Sequence, residues 1–210
     1  MLKRLKRLDF VNNQAMKKAQ KSIENNQETI KKSTAISKKN QSSDNDVLDI
    51  DAISSRLFTC MQGDAKKEIV VVCFGTCAIS GDALGPKVGT LLTQKYNLPA
   101  FVYGTQDAQI NGKNMAEWLD FISAVHSGAL FVAVDASLGQ EGKVGQIVVR
   151  ADGVCPSGVT GKSKRFGDVG ILGVVAQKQG DAIMQLLSVS PLYVDKMADE
   201  ICVLLKSALA

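Results

Sequence analysis

Two aspartates stand where apolar runs give way to glycine-rich segments. Asp82 lies in Gly75-Thr76-Cys77-Ala78-Ile79-Ser80-Gly81-Asp82-Ala83-Leu84-Gly85-Pro86, and Asp135 opens Asp135-Ala136-Ser137-Leu138-Gly139. Two carboxyl groups held close together resist ionising at once, so one pKa rises and the pair shares a proton. Such a pair suits hydrolysis, because one member draws a proton from water while the other protonates the departing group. Each aspartate also has a plainer reading. Asp82 precedes a helical pattern and fits an N-cap, worth about 1 kcal/mol, with Pro86 tolerated in the first turn. Asp135 fits a tight turn in which its carboxylate takes backbone N–H groups. Spacing alone leaves both readings open.

The other chemistry-bearing residues carry weaker signals. His126 is the single histidine, so a two-histidine metal site is excluded, and Cys73 with Cys77 supply at most half of one. Cys77 and His126 are also a nucleophile and a base, but nothing in the sequence brings them into contact. His126 reads as a surface or helix-end histidine, and Cys73 as core packing. Residues 156–163, Pro-Ser-Gly-Val-Thr-Gly-Lys-Ser, approach a nucleotide-binding P-loop. Pro156 replaces its first glycine, however, and no apolar helix follows to hold phosphate at its N-terminus. Residues 151–168 form a glycine-rich loop that is long for a compact domain and reads as substrate-facing. Asp168, at its end, is a candidate for substrate contact or for orienting the pair, against a plain turn aspartate.

A sheet is needed to bring Asp82 and Asp135 together. Residues 68–74, Glu-Ile-Val-Val-Val-Cys-Phe, predict a strand buried on both faces. Residues 100–103, 130–134, 144–150 and 169–176 predict four more strands. Residues 84–96, 115–125, 179–188 and 193–208 predict helices, with Val194, Met197, Ala198, Ile201, Leu204 and Leu205 on the buried face of the last. Ile53, Leu57, Phe58 and Met61 share a further helical face. This alternation predicts a three-layer α/β/α fold with a mainly parallel five-stranded sheet. Only residues 136–143 separate the third and fourth strands, which predicts a hairpin between them and hence a mixed sheet. In open α/β sheets, sites gather beyond the carboxyl ends of the strands. Both aspartates fall there if the first and third strands run parallel.

Composition sets the frame around this domain. The chain has 210 residues and five cysteines, Cys60, Cys73, Cys77, Cys155 and Cys202, with no Cys-x-x-Cys pair. The odd count argues against a disulfide framework and for a reducing, cytoplasmic setting. No apolar run reaches the roughly 18–20 residues that span a bilayer, and the basic start lacks the apolar stretch of a secretory signal. Residues 1–50 hold 11 Lys/Arg and 6 Asp/Glu, while residues 51–210 hold 14 and 15. The basic character therefore belongs to the leader, and a nucleic-acid surface on the folded part has no support. The leader is rich in Lys, Asn, Gln and Ser and buries too little apolar area to offset its ordering entropy. It reads as a solvated tail, with a membrane-surface or partner contact through a basic amphipathic turn at Leu2, Leu5, Leu8 and Val11, or a removable pro-segment, as alternatives. The chain divides into this leader, 1–50, and one α/β domain, 51–210.

The ordered set Gly-Thr-x-x-x-x-Gly-Asp-x-Leu-Gly-Pro, Tyr103-Gly104-Thr105, Asp135-Ala136-Ser137-Leu138-Gly139, Pro156-x-Gly158 and Gly167-Asp168-Val169 resembles a family of sporulation-associated spore proteases. The resemblance runs from about residue 69 to residue 201 and leaves out the leader. That family looks related to the germination protease, which degrades small acid-soluble spore proteins, and is more distantly similar to the hydrogenase-maturation peptidases. The germination protease uses an aspartate in an Asp-Ala-Leu-Gly-Pro segment, matched at Asp82, and a second in an Asp-Ala-Leu segment, matched at Asp135-Ala136 with Ser137 in place of Leu. The resemblance thus implies a peptidase in which Asp82 and Asp135 activate water without metal or other cofactor. Ser137, Gly158 and Asp168 are then the candidate substrate contacts. It also implies a protein substrate, a small acid-soluble spore protein in the nearest case, a spore or forespore location, and assembly as a homo-oligomer. Cys77 stands where many relatives carry an acidic residue. The maturation peptidases bind a metal through acidic residues and a histidine that His126 does not match. Two alternatives remain open: a non-catalytic sporulation protein that binds a partner through this fold, and a metal-dependent maturation peptidase.

Overall fold

The computed structural model describes residues 68–156 and 165–209, together with Ser55 and Thr59. The leader, most of the helix expected around Ile53 to Met61, and Gly158 lie outside the described residues. Ser55 and Thr59 are helical, and Thr59 Oγ1 donates to the Ser55 carbonyl at 2.7 Å.

Five strands make one sheet: β1 (Ile69–Cys73), β2 (Phe101–Tyr103), β3 (Leu130–Gly139), β4 (Ile147–Arg150) and β5 (Val169–Gln177). Their order is β2-β1-β3-β5-β4, with every pairing parallel except β4 against β5. The α/β sheet expected from the sequence is therefore present, mainly parallel and mixed. The hairpin expected between the third and fourth strands is not. β5 lies between them, and its Val-Gly-Ile-Leu-Gly-Val-Val run is apolar enough to be covered on both faces. β4 has four residues whose burial alternates, which suits an edge.

Helices cover both faces. On one side α1 (Leu84–Leu91), α3 (Ala182–Leu187) and α4 (Pro191–Leu209) enclose a core through Leu84, Val88, Leu186, Val194, Met197 and Ile201. A single wider turn, Leu92–Tyr96, extends α1 and ends at Asn97 in the left-handed conformation. Asp181 caps α3, accepting from Ile183 N at 2.8 Å and Met184 N at 3.3 Å. On the other side α2 (Met115–Val125) lays Ile122, with Trp118 and Leu119, over Val70, Val72 and Phe74. Beyond α2 that face is closed by Val154 and Phe166, which bridge each other in antiparallel fashion. No helix among the described residues is long and apolar enough to cross a membrane.

Candidate active site

Asp82 is carried by the turn that leaves β1. Gly75 has φ +135°, and a Cβ there would sit 2.0 Å from the Asp82 carbonyl oxygen. A Cβ on Gly85 would sit 2.0 Å from the Phe74 carbonyl oxygen. Only glycine at both positions lets the turn fold back on the strand it has just left. Asp82 then occupies a one-turn 3-10 helix, Gly81–Ala83, that leads into α1. No side chain caps either helix, so the N-cap reading of Asp82 does not hold. Its Oδ2 instead accepts the Thr76 N–H at 2.8 Å, across its own loop. Gln109 pins that loop from outside, its Oε1 accepting from Thr76 Oγ1 and Cys77 N, both at 3.0 Å.

Asp135 lies inside β3, not after it, because β5 pairs with β3 as far as Gly139. The two strands stay in register through Ser137 and shift before Leu138. Asp135 is 6% exposed, and its Oδ1 accepts the Ala136 N–H at 2.8 Å. Since β1 and β3 are parallel neighbours, both aspartates are delivered to the same edge of the sheet. Both line one cleft of about 290 Å³.

The electrostatics separates the two acids. Burial pushes Asp135 well above the usual carboxylate range, the Asp82 charge pushes it further, and the Ala136 N–H offsets part of the rise. Asp82 is also raised by burial, with the Thr76 N–H pulling against it. Burial thus raises Asp135 more than Asp82, which is the asymmetry that acid–base work needs.

Ser137 lines the cleft as well, its hydroxyl donating only a long 3.5 Å bond to the Leu138 carbonyl. Arg150, Arg165 and Lys178 line it too, and sequence reasoning missed all three. No local pattern marks them, because their position depends on how β4 and the Val154–Phe166 bridge pack against β5. Arg165 Nη1 donates to Asp152 Oδ1 at 2.9 Å.

Other candidates lie elsewhere. Asp168 accepts the Phe131 N–H at 2.9 Å, near the start of β3 and β5, and does not line the cleft. Gly158, and the P-loop-like segment after Pro156, fall outside the described residues. His126 ends α2 as expected but is 4% exposed and so is no surface histidine. Its Nδ1 meets Glu68 Oε2 at 2.5 Å and its Nε2 meets the Tyr103 hydroxyl at 2.7 Å. With both ring nitrogens engaged, it offers no base to Cys77. Cys73 is fully buried in the core, and burial pushes its thiol far up.

The metal set implied by the more distant resemblance does not fit these residues. His126 is not in the cleft, and among the described residues no three His, Cys, Asp or Glu side chains are grouped to hold an ion.

Comparison with known proteins relates the chain to a family, a curated protein and a solved structure. The family described as "Protein of unknown function (DUF1256)" matches residues 41–203. "Uncharacterized protein YyaC" of Bacillus subtilis (strain 168) is 36% identical over 124 residues, which is 59% of this chain and 60% of that protein. The chain therefore matches under two thirds of the relative's length. The crystal structure of the NiFe hydrogenase maturation protease HycI from Thermococcus kodakarensis KOD1 is 17% identical, with a TM-score of 0.47, over 73% of this chain and 97% of that one.

Proposed function

The chain belongs to the DUF1256 family, and we propose that it is a peptidase-type hydrolase that cleaves a polypeptide by means of Asp82 and Asp135. The observation that carries this reading is a buried Asp135 that lines one cleft with Asp82. Asp82 keeps Oδ1 clear of the Thr76 bond and is the base that draws a proton from water. Asp135 keeps Oδ2 clear of the Ala136 bond and is the acid that protonates the departing amine. Ser137, on the cleft wall, is a substrate contact in this scheme. The sequence resemblance supports a small acid-soluble spore protein as substrate and a sporulating cell, in its spore or forespore cytoplasm, as the setting.

The test is cleavage by the full chain of a mixture of unfolded proteins that includes a small acid-soluble spore protein, followed by mass spectrometry. Asp82→Asn and Asp135→Asn should each abolish cleavage while leaving the fold intact. Retained cleavage in both single variants refutes the mechanism.

A further inference from the structure

Two buried side-chain polar atoms among the described residues have no hydrogen-bond partner: Ser80 Oγ and Arg150 Nε. A serine hydroxyl rotates to suit its surroundings, whereas the Nε–H of a planar guanidinium points where the side chain aims it. Ser80 is not on the cleft wall; Arg150 is. Leaving such a donor buried and unmatched costs the full desolvation penalty of the group. It is tolerated where a ligand brings the acceptor.

Register places this donor relative to the pair. Arg150 lies directly opposite Gly170 on β5, and Gly170 opposite Ala133 on β3. Asp135 is two residues beyond Ala133, and directly opposed residues point to the same side of a sheet. Arg150 and Asp135 therefore project from the same face, separated by β5, with Leu172 beside Asp135 and the Gly153 backbone packed over Gly170. Two inter-strand spacings and one two-residue step put their Cα atoms roughly 12 Å apart, within reach of a long arginine across the cleft. No ion pair among the described residues involves Arg150. The guanidinium is thus not spent on either aspartate, and both residues line the one cleft.

We propose that Arg150 is the oxyanion-holding residue of this cleft, its guanidinium donating to the carbonyl oxygen of the amide under attack. The inference rests on the aspartate-pair reading and assigns the residue that the pair lacks. In the first step Asp82 takes a proton from water, and the water oxygen bonds to the carbonyl carbon. The carbonyl π pair moves onto oxygen, where Arg150 receives the developing negative charge. In the second step that electron pair returns, the C–N bond breaks, and the departing nitrogen takes the proton held by Asp135. The products are a new carboxyl terminus and a new amine. One proton passing from Asp82 to Asp135 restores the starting state. A preorganised donor aimed at the charge that appears in the transition state lowers the barrier without tightening substrate binding.

The experiment compares Arg150→Met and Arg150→Lys with the two Asn variants on one cleaved substrate. It is run with thermal melts and a titration of inorganic phosphate followed at the Arg150 Nε–Hε NMR signal. Arg150→Met should lose about 100-fold or more in kcat with KM little changed. Its melting temperature should be unchanged or higher, because an unmatched buried donor is gone. Arg150→Lys, which keeps the charge, should recover part of kcat, and phosphate should shift the wild-type signal saturably. If Arg150→Met keeps kcat, or loses only KM, while both Asn variants are inactive, the inference falls and the pair stands. If the Asn variants cleave normally, or the wild type cleaves nothing, the pair reading falls and takes this role with it. A wild-type signal unmoved by phosphate overturns the anion-holding role in either case.

Discussion

Asp135 and Asp82 each accept one backbone N–H at 2.8 Å, from Ala136 and Thr76 respectively, yet only Asp135 is buried. Equal hydrogen-bond support leaves burial to decide their difference. Asp135 rises well above the ordinary carboxylate range for that reason, and the charge of Asp82 adds to the rise. The same inequality that suits the pair to chemistry burdens the fold, and both effects are measurable.

A raised carboxyl pKa means that the folded state binds a proton the unfolded chain has already released. Stability then falls as pH rises from the unfolded value toward the folded one, and the deficit persists above it. Asp135→Asn keeps an acceptor for the Ala136 N–H and removes the ionisable group. It should raise the melting temperature at neutral pH, by about 2–4 °C for each kcal/mol recovered, and do so less at pH 4. Melts of both proteins at the two pH values check this; a lower melting temperature at neutral pH would contradict it.

Cleavage should follow a bell in pH. The acid limb belongs to ionisation of Asp82, raised by burial from its ordinary value, and the alkaline limb to loss of the Asp135 proton, raised well above it. Initial rates across pH give the two limbs. A profile that is flat at the alkaline side would remove Asp135 as the acid.

Gly75→Ala places a Cβ 2.0 Å from the Asp82 carbonyl oxygen in a backbone conformation that side chains avoid. Backbone strain of this type costs about 1–3 kcal/mol, and relief requires the Asp82 turn to move. Stability and cleavage should both drop, with cleavage falling by more than the fraction unfolded. Denaturant melts set beside rates per folded molecule provide the check.

The Glu68–His126–Tyr103 chain ties the start of β1 to the end of α2 and to β2, with the Phe101 ring tilted against the imidazole at 4.7 Å between centroids. His126→Ala should cost about 1–3 kcal/mol from the partners left unmatched. Cleavage per folded molecule should be unchanged, because His126 does not line the cleft. A loss of turnover beyond the loss of folded protein would tie this network to the site.

The strands that fix the site were legible because their apolar runs are unbroken: residues 69–73 and 130–134 admit little except buried parallel strands. From that, the convergence of Asp82 and Asp135 followed, since neighbouring parallel strands deliver their carboxyl ends to one edge. The position of Asp135 within β3 was hidden, because pairing with β5 continues into Ala136-Ser137-Leu138-Gly139, which locally reads as a turn. The edge position of β4 was hidden as well. Closeness in sequence favours a hairpin, and only the competition of a longer, more apolar β5 for the place beside β3 overrides it. Arg150 had no signal, for a single arginine ending a strand acquires meaning only through its antiparallel register with Gly170. Asp168 had the opposite fate: its glycine-rich context drew attention, but the structure gives its carboxylate to the Phe131 N–H.

The most direct test of the account is the titration of the two carboxyl groups by carbon-13 NMR of aspartate-labelled protein, in the wild type and in Asp82→Asn. The account predicts that Asp135 stays protonated well above the ordinary carboxylate range and that its titration moves to lower pH when Asp82 loses its charge. An Asp135 that titrates like an exposed aspartate, or that is indifferent to Asp82→Asn, would contradict it.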